Sequence, residues 1–560
     1  MSDPSALFAA AQAHLRAGRL AEARERAERL LAAEPQHGGA LHLLGLIAFQ
    51  QGARAQAAQR FSQSAALALA RGDGDTALQG AVEALAAEET PRTRRLFADI
   101  AGTLRFSQDD PVVRPLLTRA IGEGWGPLAP LAAAAAGMVK AGGRLEDDGL
   151  LRAALAAAPV ADSALEEVLT HKRREMLAGA TVPEDFAAAL ARQCFLNGYV
   201  FAQSGEETAK LAALRARVEK GDPAGLPTLA CYGPLGEVAG AERFTGGGAL
   251  AAVLRQQRDE PAEEKRLAAA LPALTPIATG ADDAEPWPRW SGSPAAETPV
   301  TLRDYLANRF PAAELDGLPE HPALLSAGCG TGEYALHLAR MLALDSVTAV
   351  DLSRPALAYA ARKAQEAGLD IRFGQGDILQ AASLGRTFGL IECGGVLHQL
   401  PDPLAGWSAL LACLAPNGVM RIAVHSQAAR AALKGIQDRL KRFDAKPEGI
   451  RAARSWLRTQ QDGAVKPILA APEFFSMGGC RHLLFPGPEH PLTLAQIGAF
   501  LRQNSLALIG LDVPAALMAA YRARFPGDAA ATDLDNWAAF EHENPQSFAA
   551  MIQFWVGKRG

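Results

Sequence analysis

The chain has 560 residues, 49% of them hydrophobic, a length that predicts about three domains rather than a single core. Its 56 basic and 61 acidic residues leave a formal net charge of −5, so nothing pulls it toward nucleic acid in general and such a substrate is disfavoured. The six cysteines form no C-x-x-C pair, no stretch reaches the roughly 18 apolar residues of a membrane span, and Met1 to Leu20 lack a secretion signal's apolar run; the expectation is a cytoplasmic protein without disulfides, zinc or other metal.

The first 70 residues repeat with a spacing of 34: Leu7 recurs as Leu41, Gly18 as Gly52 and Ala23 as Ala57. That is the tetratricopeptide period, with small residues where paired helices approach closely. A degraded third pair is expected near Asp75 to Leu104, because such stacks need about three units to bury a continuous core. Residues 1–110 therefore read as helical repeats whose concave face is a candidate surface for a protein or peptide partner. From 111 to 271 apolar residues keep helical spacing, as in Leu165, Val168, Leu169 and Met176, which predicts an all-helical middle domain with Cys194 in its core. Prolines, glycines and acids then cluster over 272–299, a linker that contains P-W-P-R-W at 286–290.

Residues 300–560 alternate short apolar runs with helical stretches, the pattern of a parallel sheet built from βαβ units. A strand ending at Ser326 leads into A-G-C-G-T-G-E at 327–333 and then a helix from Tyr334 to Leu342. Gly328, Gly330 and Gly332 let backbone approach a ligand where any Cβ would fill the space. Asp351, 19 residues beyond Gly332 at the end of a strand from Ser346 to Val350, is placed to accept hydrogen bonds from both hydroxyls of a ribose. The spacing is G-x-G-x-G rather than the G-x-G-x-x-G of dinucleotide enzymes, and Glu333 would repel a pyrophosphate. An adenosine cofactor without phosphate fits better.

A third strand delivers G-Q-G-D-I-L at 374–379, with Asp377 placed to accept from an adenine amino group and Ile378 to cover the ring. A fourth strand, Phe388 to Glu392, brings G-G-V-L-H-Q-L at 394–400 to the same edge, where open α/β sheets bind ligands. A fifth runs from Gly418 to Val424. Leu506 to Leu511 and Phe548 to Val556 supply the last two, with Phe554 and Trp555 in the core and helix between them from Ala515 to Asn544. Between the fifth strand and a helix at Leu494 to Arg502 lies an insertion, 427–491, that commonly covers the substrate side of such sheets. It carries Arg430, Lys434, Arg439, Lys441, Arg442, Arg451, Arg454 and Arg458. These read either as a solvated surface, the favoured reading, or as a site for an acidic substrate joined by Arg481 and His482.

The succession AGCGTGE, AVDLS, GDIL, IECGGVLHQL and LAPNGVMRIAV resembles the class I methyltransferases that use S-adenosylmethionine (SAM), over about 100 residues. More narrowly the chain resembles bacterial fusions of tetratricopeptide repeats to such a domain, which share a P-x-P-R-W element and C-R-H-L-L-F-P, here at 480–486. Glu285 and Trp287 depart from the usual form of the first element. The resemblance implies a multidomain protein: all-α N-terminal halves followed by a Rossmann-like seven-stranded α/β domain. It implies SAM as cofactor, held by Gly328, Cys329, Gly330, Thr331, Gly332, Asp351, Leu352, Asp377, Ile378, Glu392, Cys393 and Gly394. Trp290, Arg481 and His482 are candidate substrate contacts. His398, directly after the fourth strand, is the candidate general base, or else shapes the pocket.

Transfer from a sulfonium needs in-line approach of a nucleophile more than it needs a protein acid. The expected acceptor is a small metabolite admitted beneath the insertion or a protein or peptide held by the repeats. The contrasting reading is an interaction or scaffold protein whose methyltransferase fold senses SAM.

Overall fold

The computed structural model describes residues 3–141, 145–277, 285–292 and 298–558. Two compact units divide the chain: Met1–Ala154 with Pro514–Ala520, and Leu155–Val513 with Tyr521–Gly560. The first unit begins with three helix pairs, Pro4–Arg16 with Leu20–Ala33, Gly38–Gln50 with Arg54–Ala70, and Gly74–Ala87 with Pro91–Thr103. The first two pairs are entered at residues 34 apart, and the turns inside them are made by Gly18 and Gly52 at φ of 71° and 78°, a left-handed conformation that side chains resist. Ala11, Ala23, Ala27 and Ala40 are fully buried, because only a methyl fits where the helix axes come closest. Further helices, Val113–Gly122 and Leu128–Ala141, pack onto this stack. The boundary expected at residue 110 therefore lies inside a unit, and the middle domain expected over 111–271 is divided at residue 154.

In the second unit seven strands form one sheet: β1 (Ala323–Ala327), β2 (Ser346–Asp351), β3 (Arg372–Gln375), β4 (Phe388–Gly394), β5 (Leu414–Val424), β6 (Leu506–Leu511) and β7 (Ile552–Lys558). Their order is β3-β2-β1-β4-β5-β7-β6. The first five are parallel, and β7 runs antiparallel to both β5 and β6. This is the Rossmann-like α/β architecture, preceded in the chain by helices. Leu324, Leu390, Val419 and Trp555 lie at the sheet's centre with Leu302 and Leu338 on one face. On the same face, toward the β3 edge, Ala349 and Phe373 pack against Leu357, Ala360 and Ala364 of the helix Arg354–Ala367. β7 starts four residues later than the apolar run suggests, and Ala515 to Asn544 forms two helices, Ala515–Arg524 and Leu534–Glu543, rather than one.

Residues 155–271 belong to the sheet's unit because charged and backbone contacts hold them there. Arg362, 2% exposed, bonds Glu264 of the helix Glu260–Ala270, and Arg354 donates to the carbonyls of Ala268 and Leu271. The segment expected as a linker is partly built into the fold. Ala273 bridges Gln375 at the edge of β3, and Trp287 and Trp290 are both packed; its residues 278–284 and 293–297 lie outside those described. The insertion 427–491 is closed at its base by a bridge between Ser426 and Leu492. It is helical, with Gln427–Leu440, Pro447–Arg458 and Met477–Leu484 as its main elements.

Candidate active site at the strand tips

The carboxyl ends of β1, β2, β3 and β4 converge on the glycine turn. Gly328, Gly330 and Gly332 all have positive φ, 72°, 51° and 77°, but their reasons for being glycine differ. A Cβ at Gly328 would meet Val396 at 2.4 Å and one at Gly332 would meet Ala360 at 2.6 Å, whereas one at Gly330 meets nothing within 4 Å. Only the middle glycine borders open space. The expectation that all three keep room for a ligand is thus corrected: the outer two let the turn pack against the segment after β4 and the helix Arg354–Ala367. Thr331, between them, is 2% exposed, and Cys329 is half-buried with its thiol pushed well up by burial and by Asp351 and Glu392.

Asp351 braces this turn. Its Oδ2 accepts from the Gly330 N–H at 2.7 Å and its Oδ1 from the Ser353 N–H at 2.8 Å. Each carboxylate oxygen can accept more than one bond, so a diol remains within its capacity. Leu352 beside it is half-buried.

Asp377, 2% exposed, sits beyond the end of β3 as the cap of the short turn Ile378–Leu384. Oδ1 accepts from the Leu379 N–H at 2.9 Å, and the Asp377 N–H donates to Thr275 Oγ1 at 2.7 Å. Its other oxygen, Oδ2, is buried without a hydrogen-bond partner among the described residues. A buried carboxylate oxygen left alone costs free energy. An exocyclic amino group would satisfy it, and Ile378, 5% exposed, offers the adjoining apolar wall.

Glu392 has a different assignment from the one expected. Its Oε2 accepts from Ser326 Oγ at 2.8 Å and its Oε1 from Arg421 at 3.1 Å, so both oxygens are engaged inside the sheet. Arg421, 6% exposed, also reaches Gln553 on β7 and lies over the Tyr334 ring at 3.8 Å. Burial raises the Glu392 pKa, with Arg421 and Ser326 opposing. This charged ladder ties β1, β4, β5 and β7 together. Cys393 is fully buried beside it, and a Cβ on Gly394 would stand 2.9 Å from Glu392 Oε1.

At the tips of β4 and β5 the structure places His398 against His425, with ring centroids 3.8 Å apart. His398 is 1% exposed; its Nδ1 accepts from the His425 N–H at 3.3 Å and its carbonyl from the His490 N–H at 2.6 Å. Burial, and then the neighbouring His425, Arg430 and His482, depress its pKa to about 3, with Glu489 opposing them. A ring of such low basicity is a poor proton acceptor, which favours the pocket-shaping alternative: with Nδ1 accepting, neutral His398 offers Nε2–H as a donor. His425 stands differently. Its Nδ1 lies 3.2 Å from Glu489 Oε1, and Glu489 is gripped by Arg430 at 2.6 Å. Arg430 and His425 hold Glu489 ionised, at a pKa of about 2, against the desolvation of burial, which is the largest effect on it. His398, His425 and Glu489 each offer an atom within 4.8 Å of the others, a separation that a metal ion spans. The guanidinium of Arg430 already occupies Glu489, and His398 Nδ1 faces an N–H.

The remaining candidates are scattered. Trp290, 8% exposed, donates from Nε1 to the Thr331 carbonyl at 3.1 Å and packs on Tyr359, so it props the glycine turn. Trp287 stacks on His482 at 4.6 Å and donates to Ser476 at 3.1 Å. Arg481 is half-buried on the same helix as His482.

Most of the insertion's cations are internally paired. Arg454, 3% exposed, bonds Glu166 at 2.7 Å and the carbonyls of Val200 and Phe474. Arg458 also meets Glu166, at 2.9 Å. Arg451 donates to the Tyr199 carbonyl, Arg439 to Asp462 and Lys441 to Asp438, while Arg442 lies over Trp456. The middle helices, not an acidic substrate, take the most buried of these charges.

Residues 324–418, from β1 into β5, match the protein family described as "Methyltransferase domain". That stretch is similar to a methyltransferase domain. An uncharacterized protein of Synechococcus sp. is 39% identical over 119 residues, 21% of this chain and 28% of that protein. The trans-aconitate 2-methyltransferase of Deinococcus radiodurans is 36% identical over 121 residues, 21% of this chain and 45% of the enzyme. The chain thus spans less than half the length of these curated relatives. Among solved structures, PKMT2 from Rickettsia typhi aligns over 47% of this chain and 56% of its own, with a TM-score of 0.38 and 16% identity.

The cofactor of the methyltransferase domain is SAM, and the residues present fit it. Asp351 would hold the ribose diol, the orphaned oxygen of Asp377 the adenine amino group, and the open side of Gly330 would border the donor. When bound, SAM supplies an electrophilic methyl group.

Proposed function

We propose that this chain is a methyltransferase that transfers the methyl group of SAM to an acceptor admitted at the tips of β4 and β5. The observation that carries the reading is the buried, unpartnered Oδ2 of Asp377 on the same sheet edge as the open face of Gly330 and the carboxylate of Asp351. Three sites of different chemistry, set in the order of an adenosyl group, have no common purpose in a domain that merely packs.

The chain's own residues then divide the work. Asp351 and Asp377 orient the donor through hydrogen bonds, and the turn braced by Trp290 keeps that geometry fixed. Positioning two reactants in line is worth roughly 7 to 11 kcal/mol, so most of the acceleration comes from holding the acceptor. If the acceptor enters protonated, His425 is the residue able to take the proton. Its Nδ1 lies beside Glu489, and Arg430 fixes that carboxylate. His398 Nε2–H hydrogen-bonds the acceptor without titrating. His482, exposed and stacked on Trp287, lies on the insertion side of the same histidine pair.

The test is calorimetric titration of the full chain with S-adenosylhomocysteine, followed by incubation with cell extract and SAM carrying a labelled methyl group. Binding together with enzyme-dependent label in a product is expected. Absence of binding would end the enzyme reading, and binding without label in any fraction would favour a SAM-sensing scaffold.

A further inference from the structure

Away from the strand tips, the helices of the middle segment and the outer face of the helix Arg354–Ala367 enclose a cavity of about 300 Å³. Tyr359, Lys363 and Glu366, one helical face at i, i+4 and i+7, form one side. None of the residues assigned to the donor lines it. Phe195 and Trp290 supply flat apolar walls.

Its charge is unbalanced. Among the described residues, four cations, Arg192, Arg255, Arg289 and Lys363, line the cavity against two carboxylates, Glu260 and Glu366. Those carboxylates are already engaged: Arg255 meets both at 3.3 and 3.0 Å, Lys363 meets Glu366 at 3.1 Å, and Arg362 meets both from behind at 3.2 and 2.7 Å. Glu264 adds one acid and Arg362 one base, which leaves the excess unchanged. Arg289 comes no closer than 3.9 Å to Glu264, which bonds Arg362 at 2.8 Å, and its guanidinium lies over the Phe195 ring at 4.5 Å.

Arg192 has less still. Its Nε is buried with no hydrogen-bond partner among the described residues. Only a longer-range attraction to Glu260 opposes the desolvation that pulls its pKa down. Guanidinium groups drawn out of water are ordinarily paired, so a half-buried one whose Nε finds no partner beside a cavity marks a place where charge can be supplied from outside.

We propose that this cavity is a second ligand site, which takes a small dianion between Arg192 and Arg289 with its organic part against Phe195 and Trp290. An excess of two positive charges matches a phosphate monoester or a dicarboxylate, and a forked guanidinium suits the oxygens of either.

The full chain is titrated calorimetrically, at fixed ionic strength set with sodium chloride, with inorganic phosphate, phenyl phosphate and succinate in separate arms. Saturable binding of at least one is expected. Tighter phenyl phosphate identifies a phosphate monoester, and tighter succinate a dicarboxylate. Arg192→Met is expected to weaken the preferred dianion at least tenfold while melting no lower than the parent in buffer alone, since it removes a bare charge and keeps the aliphatic stem. Arg192→Lys keeps the charge and loses the fork, and is expected to bind at least threefold more weakly. Saturation by none of the three probes, parental affinity in both variants, or a lowered melting temperature for Arg192→Met would each overturn the proposal.

Discussion

Replacing Asp377 with Asn isolates the contact on which the cofactor reading turns. In the parent, Oδ1 caps the Leu379 N–H and Oδ2 is buried and alone. The Asn carbonyl keeps the cap, while an NH₂ group replaces the lone oxygen and meets the adenine amino group donor to donor. A hydrogen bond to a charged acceptor is worth about 1.5 to 3 kcal/mol, and each 1.4 kcal/mol is tenfold in affinity, so S-adenosylhomocysteine should bind about 10 to 150 times more weakly. The folded protein loses a bare buried oxygen and should melt no lower than the parent. Calorimetry with the 6-oxo analogue, S-inosylhomocysteine, supplies the converse: its carbonyl accepts from the Asn amide, and the variant should prefer it over the natural ligand. Parental affinity for S-adenosylhomocysteine, within threefold, with the fold intact by circular dichroism, would show that adenine does not lie at Asp377.

Other consequences can be measured in the same protein. His398 has a folded pKa near 3 against about 6.5 when unfolded, so the unfolded state binds the extra proton and stability is lost as pH falls from about 6.5 toward 3. Between pH 7 and 5 this amounts to about 2 kcal/mol; urea titrations of His398→Gln should show a flatter dependence by that amount, and an unchanged slope would mean that the ring is solvated. Gly330→Ala should cost only about 1 to 2 kcal/mol through its positive φ yet impair donor binding. Gly332→Ala, which also collides with Ala360, should cost about 2 to 4 kcal/mol; equal losses of stability would refute the distinction. Arg454→Met strips buried Glu166 of its two-pronged partner and leaves it Arg458 alone, which should lower stability by up to about 3 to 5 kcal/mol, with partial recovery when Glu166→Gln is added; no loss on denaturant titration would show the pair to be solvent-screened.

The strands and the residues at their tips were legible because their signals are local. A parallel sheet writes each strand as a short apolar run, and the glycine turn, Asp351 and Asp377 follow directly after three such runs. The same habit of reading misled where a residue's partner is distant. Glu392 reads as a ligand at a strand tip until Arg421, 29 residues on and one strand over, takes its oxygen. Arg454 and Glu166 are 288 residues apart, and no periodicity connects them, so cations that bind the insertion to the middle helices read as a solvated face. His425 was missed although it follows β5 as His398 follows β4; a titratable residue directly after any strand of that edge was the available signal. Its partner Glu489 returns only through the bridge from Ser426 to Leu492, which nothing near either residue announces.

The strand order carries a consequence for synthesis. β6 has a single neighbour in the sheet, β7, and β7 follows it by about 40 residues in the chain. While the polypeptide lengthens, β6 emerges with no strand to receive it, and the side of β5 that β7 will occupy stays open as well. Both bare edges persist until one late segment slides between them, so a chain arrested in that interval presents two sticky borders to its neighbours.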